Sequence, residues 1–180
     1  MPTSGAHQSS MTWLIFALMT VATWGLYGVL LHSGQVGMAD PVHGRYKAFL
    51  FVGLAYFLTA VLAPLAILVM KGASWSFQVK GMGWSLLAGI AGAAGAFTVL
   101  LAFGAKGQPS VVMAIVFGGA PIVNAVVAML IDPPAGGFSV IPKPFFLGLL
   151  LAAFGGCLVT LYRPAAAPPA KPPSVQTQAR

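Results

Sequence analysis

The side chains best suited to meet a solute are uncharged and lie inside apolar runs. Thr20, Trp24 and Tyr27 are spaced i, i+4 and i+7, with Gly25, Gly28 and His32 on the adjacent helical face. A Trp and Tyr pair lining a cavity would hold an apolar or cationic solute against its ring faces. The same pair facing lipid, or packed against a neighbour, would hold nothing. Trp13 suits the aromatic belt at a membrane surface, whereas Trp24 lies about two turns inside the end of its run, below that belt.

Two further groups stand out by chemistry and depth. Thr98 offers a hydroxyl, and Asn124 an amide with both donors and an acceptor to satisfy. As glue between helices, such an amide contributes about 0.6 to 2 kcal/mol. As a lining residue it would orient a solute. Thr23, Tyr56 and Thr59 are the other neutral polar groups inside the runs, while His32, Ser33 and Gln35 are expected at a helix end near the interface.

Charge is confined to the joints. Asp40 and Asp132 are the two acids, and every Lys and Arg falls at or beyond the end of an apolar run. A charge at mid-membrane costs at least about 2.5 to 3.5 kcal/mol and is the usual mark of an ion or proton pathway. This chain carries no such mark. His32 and His43 complete no ligand set, so no metal is expected. The lone Cys157 has no base beside it in its run, no nucleophile and base pair up, and no G-x-G-x-x-G follows a strand. No catalytic residue, cofactor or enzyme activity is expected.

The elements that must position these groups follow from composition. With 58% hydrophobic and 6% charged residues and a mean hydropathy of +0.90, the chain belongs in a lipid bilayer. A net charge of +7 comes from scattered basic residues, which suit lipid headgroups and form no patch for nucleic acid. Spanning the hydrocarbon takes roughly 20 apolar residues as a helix. Runs at 12–31, 48–70, 83–103, 111–131 and 144–162 qualify, predicting an all-α integral membrane protein of five transmembrane helices. Residues 1–11 read as a short polar segment ahead of a retained first span, and the Pro/Ala-rich 164–180 as a disordered tail. The spans and their short joints make one transmembrane domain over 12–163.

Small residues punctuate three of the spans. Gly89, Gly92 and Gly95 recur at every third position, Gly118 and Gly119 precede Pro121, and Gly148, Ala152 and Gly156 repeat at four. Such stripes let helices approach closely. They also keep helices free to slide in a transporter. With five spans the termini lie on opposite sides. Lys71, Lys80 and Lys143 flank the spans on the N-terminal side, against Arg45, Lys47, Lys106 and Arg163 on the other. The balance tips towards an outside N-terminus and an inside C-terminus, and its narrowness also suits insertion in both orientations.

The stretch from Leu86 to Thr160 resembles the second half of an EamA-type repeat of the drug/metabolite transporter superfamily. The likeness rests on "FGAKGQPSVV" closing the third span, "VFGGAPIVNAVVAML" with Pro121 near its middle, Asp132 after it, and Gly148 and Gly155 in the last span. Trp24 and Gly25 resemble the family's first helix more loosely. Ile131 and Asp132 stand where the family has a Gly-Glu pair, and Thr23 and Trp24 where proton-coupled relatives keep a glutamate. Many members carry two five-helix repeats of opposite topology, and smaller ones dimerise, sometimes antiparallel. The resemblance implies half a transporter in the cell inner membrane, self-associating or joined by a partner membrane chain, moving an unknown small solute by alternating access. Trp24, Tyr27, Thr98 and Asn124 are its candidate lining. The alternative is a non-transporting subunit that packs within a larger membrane complex through its small-residue faces.

Overall fold

The computed structural model describes residues 4–163, with side chains from Met11 onward. Five helices long and apolar enough to cross a membrane follow in order: α1 (Ser4–Gly37), α2 (Gly44–Met70), α3 (Val79–Gly104), α4 (Pro109–Ile131) and α5 (Lys143–Leu161). No strand occurs among the described residues. Each helix includes the run expected for it or stops within a residue of its end. α1 extends furthest beyond its run, starting at Ser4 and ending at Gly37, so His32, Ser33 and Gln35 lie within the helix. Hydrophobic length locates the part of a helix in lipid, but the backbone ladder continues into the headgroup zone until a breaker stops it. The Pro/Ala-rich tail, 164–180, expected to be disordered, lies outside the described residues.

Breakers and caps end the helices. Residues 38–43 turn α1 into α2, where Asp40 Oδ1 accepts from the backbone N–H of Val42 at 3.0 Å and of His43 at 2.8 Å. Lys47 Nζ reaches the other carboxylate oxygen at 2.7 Å. At the far end of α2, Gly72 takes a left-handed φ of 58°, and Ala73 N–H donates to Leu68 O. That closing pattern favours glycine. Lys106 adopts the same left-handed form at 68° to close α3, with Gly107 N–H donating to Ala102 O.

α2 contains a π-helical stretch over Phe57–Leu62, in which Ala63 N–H donates to Leu58 O, five residues back. Pro64 explains it. Its ring would collide with the carbonyl four residues earlier, and it has no N–H to donate, so the ladder widens by one residue just ahead of it. Thr59 Oγ1 donates to Ala55 O at 2.8 Å within the same stretch.

Packing is uneven along the bundle. Leu31, Val99, Leu100, Phe103 and Met113 form the buried core, flanked by Tyr27, Phe49, Val52, Val112 and Val116. These residues come from the C-terminal halves of α1 and α3 and the N-terminal halves of α2 and α4, so the core sits at one end of the bundle. The other end, where the N-terminal half of α3 and the C-terminal half of α4 lie, contributes only Ala125 to the buried hydrophobics among the described residues. α5 packs on α4 alone among the described helices.

Candidate functional site

The uneven packing leaves a groove between α1, α3 and α4, immediately beyond the core. Its volume is about 480 Å³, and Thr20, Trp24, Gly92, Gly95, Thr98 and Phe117 are among its lining residues. This lies within the roughly 300 to 1,000 Å³ of sites that bind small molecules. Trp24 is held by two rings. Its centroid lies 5.6 Å from that of Tyr27, tilted, and 6.5 Å from that of Phe117, edge to face. Phe117 therefore belongs to the site, although nothing in the sequence distinguished it from other apolar residues of its span.

The glycines make the room. No atom lies within 4 Å of where a Cβ would stand on Gly92 or Gly95, nor on Gly89 one turn away. Among the described residues no other helix comes into close contact with that stripe. Gly119 and Gly148 are equally free of neighbours. Gly118, Ala152 and Gly156 lie instead in the α4–α5 contact. A Cβ on Gly118 would sit 3.0 Å from Ala152 O, and one on Gly156 would sit 3.0 Å from Ala114 O. Small residues spaced at four on both helices thus bring the two backbones together.

The four candidate lining residues are not gathered in one place. Trp24 and Thr98 share the groove. Tyr27 contacts Trp24 but lines a separate crevice between α1 and α2, with Thr23, Phe51 and Ala55. One helical step of three residues turns a side chain about 60° from alignment, enough for α2 to take the Tyr27 edge of the α1 face. The Tyr27 hydroxyl is buried near Tyr56 without a hydrogen bond of good geometry. Asn124 is exposed, and its amide bonds to nothing among the described residues. It falls four and seven residues after Ala120 and Phe117, both of which line the groove, and so continues their face towards the open end.

Hydroxyl protons around the groove are already engaged. Thr20 donates to Phe16 O at 2.9 Å, Thr98 to Gly95 O at 2.9 Å, and Thr23 to Met19 O at 2.9 Å. Each bonds its own helix, as Thr does when lipid offers no better acceptor. No group of three or more His, Cys, Asp or Glu that could hold a metal occurs among the described residues.

Polar contacts at the closed end are of another kind. Gln35 Nε2 donates to Leu100 O at 3.2 Å, tying α1 to α3 across the core. His32 stands edge to face against Phe103, 5.7 Å between centroids, with Nδ1 buried and unbonded. The Arg45 guanidinium lies against Gly104, where a side chain would collide with it, beside the carbonyl end of α3. Opposite charges favour that placement. The His43 N–H and the Lys47 ammonium hold the Asp40 carboxyl well below its ordinary range.

No family model matches the chain, and no curated protein or solved structure matches it either.

Proposed function

We propose that the chain is a small-solute transporter of the cell inner membrane, of the EamA drug/metabolite type, working as a homodimer by alternating access. The observation that carries this reading is the groove of about 480 Å³ that joins Trp24 and Thr98 at the edge of a core sealing only one end of the bundle. A site closed on one side and open on the other is half of an alternating-access cycle. In the cycle, closing the splayed end over a solute would accompany opening of the sealed one.

Surface area supports a partner. A compact chain of 18.5 kDa would expose about 8,200 Å² by the usual scaling, against the 14448 Å² here. Granting residues 1–10 and 164–180 the full surface of an extended chain, about 1.45 Å² per dalton, still leaves an excess of roughly 2,400 Å². A stable interface needs about 800 Å² per partner. A second copy laid over α1, α3 and α4 would supply the missing wall.

The same excess supports the second reading, a non-transporting subunit seated in a larger membrane complex. Purification from native membranes in mild detergent separates the two. A self-dimer that binds a solute from a screen, with binding lost in Trp24→Ala, supports transport. Recovery in a stoichiometric complex of other chains, with no solute bound, supports the subunit.

A further inference from the structure

We infer that the solute of this groove is uncharged: a largely apolar molecule with one hydrogen-bonding group, held at Asn124. The inference rests on the reading of the groove as a solute site and adds the chemical class. Ring faces inside a membrane could equally suit a cation. Geometry removes that option in three steps. A cation needs several rings or a counter-charge, and the rings that could cage it are divided, with Tyr27 turned into the α1–α2 crevice. Trp24 already meets Tyr27 and Phe117, so the trio is packed on itself rather than arranged around a space. No Asp, Glu, Lys or Arg is among the groove's lining residues, so a charge entering it would be desolvated without a partner.

A polar solute with many hydroxyls fits no better. The Thr20 and Thr98 protons are engaged by their own helix carbonyls, and the remaining walls are Gly, Ala, Val and aromatic rings. Asn124 is different. Its donors and acceptor are unengaged among the described residues, and it extends the helical face of Phe117 and Ala120 at the groove's open end. One carbonyl, amide or hydroxyl on an apolar body could therefore be bonded there while the body lies against Trp24 and fills the space over Gly92 and Gly95. Such a molecule dissolves in the bilayer, and the splayed end admits it without a charged vestibule.

The test uses two probes of one shape, neutral triphenylphosphine oxide and cationic methyltriphenylphosphonium. Their binding is measured by equilibrium dialysis on the full chain in nanodiscs, with empty nanodiscs as the blank. Saturable binding of the oxide at least tenfold tighter than the cation is expected. Asn124→Leu should weaken the oxide about tenfold, the loss of one hydrogen bond of about 1.4 kcal/mol. Gly92→Leu, whose side chain enters open space and so leaves the fold intact, should abolish it. Asn124→Asp should reverse the preference towards the cation, a gain that misfolding cannot produce. Tighter cation binding by the unmodified chain would overturn the inferred class and leave the groove as a site. Oxide binding unchanged in all three variants would mean partition into lipid and overturn the inference. No binding of either probe above the blank, by a chain of native helix content, would remove the groove reading itself.

Discussion

The two ends of this bundle are built from the same kinds of residue and have opposite properties. At one end Leu100 is fully buried, Phe103 and Leu31 are nearly so, and Gln35 crosses from α1 to the α3 backbone. At the other end of the same helices, Trp84, Leu86 and Leu130 are more than half exposed, and the Asn124 amide bonds to nothing among the described residues. Composition does not separate these ends, since α3 is apolar from Leu86 to Gly104 apart from Thr98. Bulk does: Val99, Leu100 and Phe103 fill the closed end, whereas Gly89, Gly92 and Gly95 leave the facing stretch without side chains. The lesson is that in lipid, where burying apolar surface between helices gains little, shape and hydrogen bonding decide which helices meet.

The largest expected effect breaks the closed end. Leu100→Ala removes the most enclosed large side chain and should destabilise the chain by about 2 to 5 kcal/mol. Leu86→Ala, about four turns away on the same helix and 66% exposed, should change stability by no more than about 0.5 kcal/mol. Unfolding midpoints in detergent compare the two, and equal losses would mean that the open end is packed after all.

The glycine stripes sharpen the contrast. Gly118→Leu drives a side chain into the Ala152 carbonyl, a backbone atom that cannot step aside, and should cost about 1 to 3 kcal/mol and loosen α5. Gly92→Leu should leave the stability of the single chain unchanged, since no described atom lies within 4 Å of its Cβ position, and disturb only self-association across the groove. Thermal unfolding of both variants as monomers in detergent checks this, and a destabilised Gly92→Leu monomer would mean that the chain itself fills that space.

Much of this was legible beforehand and some of it could not have been. Apolar runs of about 20 residues bounded by Gly, Pro and charged residues announce five helices, because a continuous apolar run of that length satisfies its own backbone groups in lipid only as a helix. The α4–α5 contact is similarly written in the spacing of Gly118, Ala152 and Gly156. By contrast, the α3 glycines make a similar small-residue stripe and closely meet no other described helix, because periodicity names a face without naming what covers it. Trp24 and Tyr27 share a stripe on paper, yet α2 divides them. Gln35 and His32 read as interfacial residues of a helix end. Their contacts with Leu100 and Phe103 join positions more than sixty residues apart, and no local pattern encodes that.

Two smaller effects probe the closed end's polar ties. Gln35→Leu should lose about 0.5 to 1.5 kcal/mol, the net worth of one hydrogen bond, read from the unfolding midpoint. Asp40→Asn should have the smallest effect, and one that depends on pH. The folded carboxyl titrates below its ordinary 3.8, so its contribution is complete above that value and fades as pH falls through the lowered one. The gap in melting temperature between the parent and Asp40→Asn should hold steady from pH 8 to about pH 5 and shrink under stronger acid. A gap that widened on acidification would contradict the assignment.

On the proposed transport reading, a solute pathway enters between α1, α3 and α4 from the end carrying the N-terminus and stops at the Leu100 core. Cysteines placed singly at Gly92, Asn124 and Leu100, with Cys157 replaced by Ser, test it in oriented vesicles with a membrane-impermeant maleimide. Labelling of Gly92→Cys and Asn124→Cys from the N-terminal side alone, with Leu100→Cys silent from both, is the predicted result. Gly92→Cys and Asn124→Cys that resist the impermeant reagent yet react with a lipid-soluble one would contradict it, since the groove would then be a crevice filled by lipid.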